Sequence, residues 1–171
     1  MENSYKYVVA GHPFVVTLPN GFSKEDHLSS YEPFLCNDES VQPLFRLRVE
    51  FAEDLHEANP GQVKDVMNDE APYFWLFEEA EGRYNFGFSY SKSCPDCILK
   101  PSEDYTDNVV YIPTKYASRL MEFALSNSMM LLYTFNTSAY DTLMIHASVI
   151  AYEGKGYVFL GRSGTGKSTH S

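Results

Sequence analysis

The sequence has no apolar run long enough to cross a bilayer. Its most apolar helical stretch, MMLLYTF at 129–135, falls far short of the ~20 residues a membrane helix needs. The N-terminus, MENSYKYVV, lacks the cationic segment leading into an apolar core that marks a secretory signal. Basic side chains are scarce: thirteen Lys and Arg against twenty-three Asp and Glu give a formal net charge of −10. That balance argues against nucleic acid or an anionic membrane surface as the main partner, while leaving room for a local basic patch. Cysteine is scarce as well. Three is an odd number, and two of them sit in CPDC, which points to a reduced, cytoplasmic protein. The chain has no second CxxC or HxxxH to complete a zinc site, no serine-histidine-aspartate signature and no internal repeat.

What is present is enough for a core: 44% of the residues are hydrophobic and 15% aromatic, in a length that holds one domain or one domain plus part of another. The first part has the period of strands. In FRLRVEF, Phe45, Leu47, Val49 and Phe51 share one face and Arg46, Arg48 and Glu50 the other, the alternation of a sheet with one wet side. RYNFGFSY repeats it, with Tyr84, Phe86, Phe88 and Tyr90 in phase against Asn85, Gly87 and Ser89. With YFWLFEE before it, 73–90 reads as a hairpin. YKYVVAGHPFVVTLP reads as another pair, and NVVYIP at 108–113 as a further short strand. The acidic stretch 52–72 is expected to be loop, with a short helix around 62–67. After Pro113 the period changes: Ala117, Leu120, Met121, Ala124, Leu125, Ser128, Leu131 and Leu132 recur at spacings of three and four. That stripe predicts an amphipathic helix from Lys115 to Phe135, with Thr114 as its N-cap. LMIHASVIAY, the turn EGKG and YVFL then predict a second hairpin over 143–160.

That hairpin runs into GRSGTGKSTHS, in which Gly161 to Ser168 spells G-x-x-x-x-G-K-S. The chemistry of the pattern is phosphate binding. Its glycines let the backbone curl so that several N–H groups point inward at phosphate oxygens, Lys167 reaches the β- and γ-phosphates, and the Ser168 hydroxyl sits on magnesium. In such sites the N-terminus of the following helix supplies further N–H groups and dipole. From Lys167 the sequence continues for about one helical turn, too little to nucleate a helix, and contains no later acidic strand for the magnesium. As given, the chain is expected to hold half a phosphate site and to bind Mg-ATP more weakly than millimolar.

MIHASVIAYEGKGYVFLGRSGTGKSTHS resembles the start of the kinase core in the HPr kinase/phosphorylase-like proteins, a P-loop branch related to phosphoenolpyruvate carboxykinases. Members carry a His-Ala or His-Gly strand, a hairpin turn, an apolar strand and then G-x-S-G-x-G-K-S-T. The close match covers about 143–171. The resemblance implies a nucleotide-phosphate site made of Gly161, Ser163, Gly164, Thr165, Gly166, Lys167, Ser168 and Thr169, with ATP and magnesium as cofactors. It places His146 near the phosphates or their acidic partners, as a candidate catalytic group. On residue type alone, an imidazole between Ile145 and Ala147 reads equally as a hydrogen-bonded structural histidine. The implied activity is an ATP-dependent phosphotransferase of the HPr serine kinase type, acting on a protein serine, a peptide or a small molecule. The family's catalytic aspartates lie beyond the loop and have no counterpart among these residues, so this chain alone is expected to be inactive.

The expected fold is therefore α+β: a mostly antiparallel β domain over 1–113, a linking amphipathic helix over 114–142, and the opening hairpin and P-loop of an HPr kinase-like core over 143–171. A second reading is a non-catalytic binding or self-association module, in which an exposed apolar helix face favours association and a homodimer pairs two terminal hairpins. Cys94-Pro95-Asp96-Cys97 admits three readings: a turn, half of a zinc site, or a redox pair. Glu78, Glu79 and Glu81 beside one turn, and Glu103, Asp104 and Asp107 beside a strand, read as solvated charge, and YFWLF as core or interface before ligand wall.

Overall fold

A computed structural model describes residues 3–79 and 82–161. Its first element is a tight hairpin. Ala10 and Gly11 both take positive φ, 47° and 85°, the two-residue turn geometry whose twist matches that of the flanking strands. It joins β1 (Asn3–Val9) to β2 (His12–Leu18). A connection then carries α1 (Lys24–His27), capped by Ser23, whose Oγ accepts from Asp26 N at 3.2 Å. It returns the chain to β3 (Phe45–Ala52), parallel to β2.

From β3 the chain crosses to the far edge of the sheet and works back. The strand β4 (Gln62–Met67) forms that edge, and β5 (Tyr73–Glu78), β6 (Tyr84–Ser89), β7 (Cys97–Lys100) and β8 (Asp107–Pro113) follow, each antiparallel to the one before. The walk ends with β8 parallel to β3, giving an eight-stranded sheet in the order β1-β2-β3-β8-β7-β6-β5-β4. The main helix, α2 (Ala117–Ser138), lies across one face. Among the described residues, the strands β9 (Ser148–Tyr152) and β10 (Lys155–Phe159) pair only with each other. The described chain is α+β, with a mostly antiparallel sheet and one main helix.

The stripe on α2 is what seats it. Leu120, Met121, Ala124, Leu125, Met129 and Leu132 are buried against Phe14, Val16, Phe45, Leu47, Phe88, Val110 and Ile112 from the sheet. Full burial of a Leu or Met contributes about 1.5–3 kcal/mol each. Phe14 and Phe45 stack across the parallel β2–β3 pair at 5.1 Å between ring centres. The segment expected to link two parts thus packs into the core of the first, and its apolar face is covered by its own sheet rather than exposed.

Three expectations are corrected. Residues 62–67 form the edge strand β4, not a helix, because β5 offers a free edge and QVKDVM pairs with it around a bulge between Val63 and Asp65. Thr114 does not cap α2: it lies in a 3-10 turn, Thr114–Tyr116, and its Oγ1 donates to Ala52 O at 3.2 Å, tying that turn to the end of β3. The alternate face of β6 is not wet. Asn85 and Ser89 are buried beneath the 53–60 and 91–96 segments, with Asn85 Nδ2 donating to Pro60 O and Ser89 Oγ donating to Ser91 O.

Candidate functional site

The candidate site is approached along residues 139–161. At its start the segment is held to the body. His12 Nε2 and Thr142 Oγ1 are hydrogen-bonded at 2.8 Å, and the His12 ring lies 5.6 Å from that of Tyr140 and 6.0 Å from that of Tyr133. Tyr133 in turn donates its hydroxyl to Val9 O at 3.0 Å, so the β1–β2 hairpin, α2 and the outgoing segment meet there. Met144 reaches into a shallow apolar groove with Met129, Met130 and Tyr133.

Beyond Met144 these anchors stop. Among the described residues, none from Ile145 to Leu160 makes a side-chain hydrogen bond, ion pair or ring contact with residues 3–144. What holds this part together is its own ladder, five antiparallel pairs from Ser148↔Phe159 to Tyr152↔Lys155. Its turn repeats that of the first hairpin: Glu153 and Gly154 take positive φ, 49° and 72°. The hairpin expected over 143–160 is therefore present, with its first strand starting at Ser148. His146 lies two residues ahead of that strand, exposed and outside the ladder. Continuing the register outward from Ser148↔Phe159 by two residues sets His146 level with Gly161, at the open end of the ribbon.

The ribbon is apolar and uncovered. Val149, Tyr152, Tyr157, Val158, Phe159 and, just past it, Leu160 are all exposed, Leu160 at 70%. Gly161 is exposed as well. The remaining residues of the predicted phosphate site, Ser163, Gly164, Thr165, Gly166, Lys167, Ser168 and Thr169, lie outside the described residues.

The other candidates resolve on geometry. Cys97 is fully buried on β7, and desolvation pushes its thiol well above the usual range. Cys94 is exposed. Asp96 closes the turn between them and β6: its N donates to Phe88 O at 2.9 Å, and its Oδ2 accepts from Tyr90 N at 2.8 Å. A low-pKa thiolate pair is what redox or metal chemistry needs, and this is a turn with one buried thiol. No group of three or more metal-ligating side chains occurs among the described residues. Glu78 is partly solvated and paired with Lys64 at 3.0 Å. Glu79 is less open than its sequence context suggests: Lys100 Nζ donates to its Oε1 at 2.7 Å, which holds its carboxyl below the usual range, with Arg83 at 3.6 Å from the other oxygen. Lys100 also donates to Ala58 O and Asn59 O, so this cluster fastens the 53–60 segment to the sheet. No helix among the described residues is long and apolar enough to cross a membrane.

Compared with protein-family models, with curated proteins and with solved structures, the chain gives no match.

Proposed function

We propose that residues 143–171 are the opening of an HPr kinase-like nucleotide site, and that the protein works as, or as part of, an ATP-dependent phosphotransferase in a reduced, cytoplasmic setting. The observation that carries this reading is the lead-in. An apolar antiparallel hairpin with a two-residue turn delivers the chain directly to Gly161 of G-x-x-x-x-G-K-S. An ordinary P-loop is entered from a parallel strand flanked by helices, so a hairpin entry favours the kinase branch that the sequence resembles. Extending the ribbon's register by two residues brings His146 opposite Gly161, which supports a role for His146 beside the phosphates in this reading.

In this reading the loop amides and Lys167 neutralise charge on the β- and γ-phosphates, and Ser168 ligates the magnesium that bridges them. The eight-stranded domain then serves recognition of the phospho-acceptor or assembly. The test is saturation transfer from the protein to Mg-ATP by NMR, which detects weak binding. Transfer is expected in the wild type and lost in Lys167→Ala. Equal transfer in both, or none in the wild type, overturns the assignment.

The exposed ribbon favours a second reading, self-association through β9–β10. Among the described residues both of its strands are sheet edges, and exposed apolar edges are templates for further pairing. A second copy of the hairpin pairs with them. Sedimentation analysis tests this: a concentration-dependent dimer that Val158→Lys disperses is expected, and a monomer at high concentration rejects it.

A further inference from the structure

The face of β5–β7 opposite the one that packs on α2 carries a cavity of about 500 Å³, walled by the 53–60 and 91–96 segments and closed at one end by Pro113, Tyr116 and Leu120 at the start of α2. The volume lies within the range of small-molecule sites. Trp75, Phe77 and Ile98, all buried residues, supply its apolar lining together with Leu55 and Pro95. The Trp75 indole N–H is already satisfied, donating to Ser89 Oγ at 2.8 Å, so the ring offers the cavity an apolar surface with no polar demand.

Gly87 sets the depth. A Cβ there would stand 2.9 Å from Trp75 Cβ and 3.0 Å from both Phe77 Cε2 and Pro95 Cβ. Only a residue without a side chain lets the Pro95 segment close down on the sheet.

Apart from His56 and Ser93, the polar part of the lining has one sign. Glu53, Asp54 and Asp96 line the cavity, and no Lys or Arg does. Two of these carboxylates are positioned by backbone: Asp54 Oδ1 accepts from His56 N at 2.9 Å, and Asp96 Oδ2 from Tyr90 N at 2.8 Å. None of the three forms an ion pair among the described residues. Lys115 and Arg119 lie over the ring of Tyr116 at the rim, at 5.3 and 5.9 Å, and Lys92 lies over that of Tyr73 at 5.2 Å. Apolar walls with unpaired carboxylates fit one ligand chemistry. An anion would meet three like charges with no Lys or Arg in the lining to offset them, whereas an ammonium group would find its complement and leave its hydrocarbon body on Trp75 and Phe77.

We propose that this cavity binds a small organic amine, a compact aliphatic or aromatic body carrying one ammonium group. This goes beyond the nucleotide reading and does not depend on it. The experiment uses the full chain and a built-in reporter, because Trp75 is its sole tryptophan. The probe is 2-cyclohexylethylamine, and the control is 3-cyclohexylpropionate, which carries a similar body with the opposite charge. The amine is expected to change tryptophan emission saturably, with a Kd of about a millimolar or tighter. The propionate should bind at least about tenfold more weakly. The double variant Asp54→Asn with Asp96→Asn keeps an acceptor oxygen for each backbone N–H and removes two of the three charges. It should weaken the amine about tenfold without weakening the propionate. A second readout is independent of fluorescence: Cys94 is exposed on the cavity lining while Cys97 is buried. In a Cys36→Ser background, saturating amine should slow alkylation of Cys94 by iodoacetamide several-fold. Absence of both saturable emission change and protection overturns the site, and equal binding of the propionate overturns the assigned ligand class.

Discussion

The chain builds two hairpins by the same local means and gives them opposite surroundings. In β1–β2 the turn is Ala10-Gly11, and in β9–β10 it is Glu153-Gly154; all four residues take positive φ, and both ladders are antiparallel without a bulge. Yet Tyr7, Phe14, Val16 and Leu18 of the first are at most 1% exposed, while Val149, Tyr157, Val158 and Phe159 of the second are exposed. The first continues into a sheet through β3 and lies under α2; among the described residues the second pairs only with itself. A turn and an alternating pattern suffice to write a hairpin, but a two-stranded ribbon alone is only marginally stable in water. Burial is what separates a structural hairpin from one available to ligand or partner.

The largest expected effect tests that contrast directly. Phe14→Ala removes a ring stacked on Phe45 inside the core and should cost about 3–5 kcal/mol in urea unfolding. Phe159→Ala on the ribbon should fall within about 0.5 kcal/mol of wild type. Comparable losses at the two sites would break the comparison.

A smaller effect sharpens it through pH. Tyr7 is buried in the first hairpin, its hydroxyl has no hydrogen-bond partner among the described residues, and burial pushes its pKa from 10.0 up to about 12. In the unfolded chain the phenol ionises near its ordinary value, so the unfolded state is the one that loses the proton first. The stabilisation is complete below pH 10 and is lost as pH rises towards 12, amounting to about 2–3 kcal/mol. Tyr7→Phe should cost little at neutral pH, since no hydrogen bond is removed. It should also flatten the alkaline loss seen in the wild type, measured by urea midpoints across that range. A variant with the same alkaline slope as wild type would place the titration elsewhere.

The smallest effect concerns the join. Thr142→Val removes the bond from His12 that ties the first hairpin to the segment leading to the second, and should cost about 1 kcal/mol. No loss in urea unfolding would mean that residues 139–144 are not seated on the body.

Much of the body was legible because its period is strong. FRLRVEF and the α2 stripe repeat their apolar residues over a long enough span to declare strand and helix, and nearly every position predicted to face inward is buried. Gln62–Met67 was misread because QVKDVM carries little apolar signal; only the free edge of β5 makes it a strand. The polar phase of β6 was taken for a wet face because Asn85 and Ser89 look like surface residues. Pro60 O and the Trp75 N–H come from other segments and Ser91 O from the turn just after the strand to satisfy them. At the candidate nucleotide site the motif and its hairpin were readable from turn chemistry and spacing. The cavity beside Trp75 was not, since its walls come from segments some 40 residues apart that meet only when the sheet order is set.

By itself the sequence determined the local grammar of this protein: where the two-residue turns fall, which face of α2 is apolar, and that an apolar hairpin leads into G-x-x-x-x-G-K-S. These depend on φ preferences and side-chain periods, which act over a few residues. Tertiary structure decided the rest: that β8 closes on β3, that a polar strand face is buried, that three unpaired carboxylates share a cavity with the sole tryptophan, and that one hairpin is buried while its twin is exposed. Those outcomes depend on which surfaces meet, and that is fixed by desolvation across the whole sheet rather than by any stretch of chain read alone.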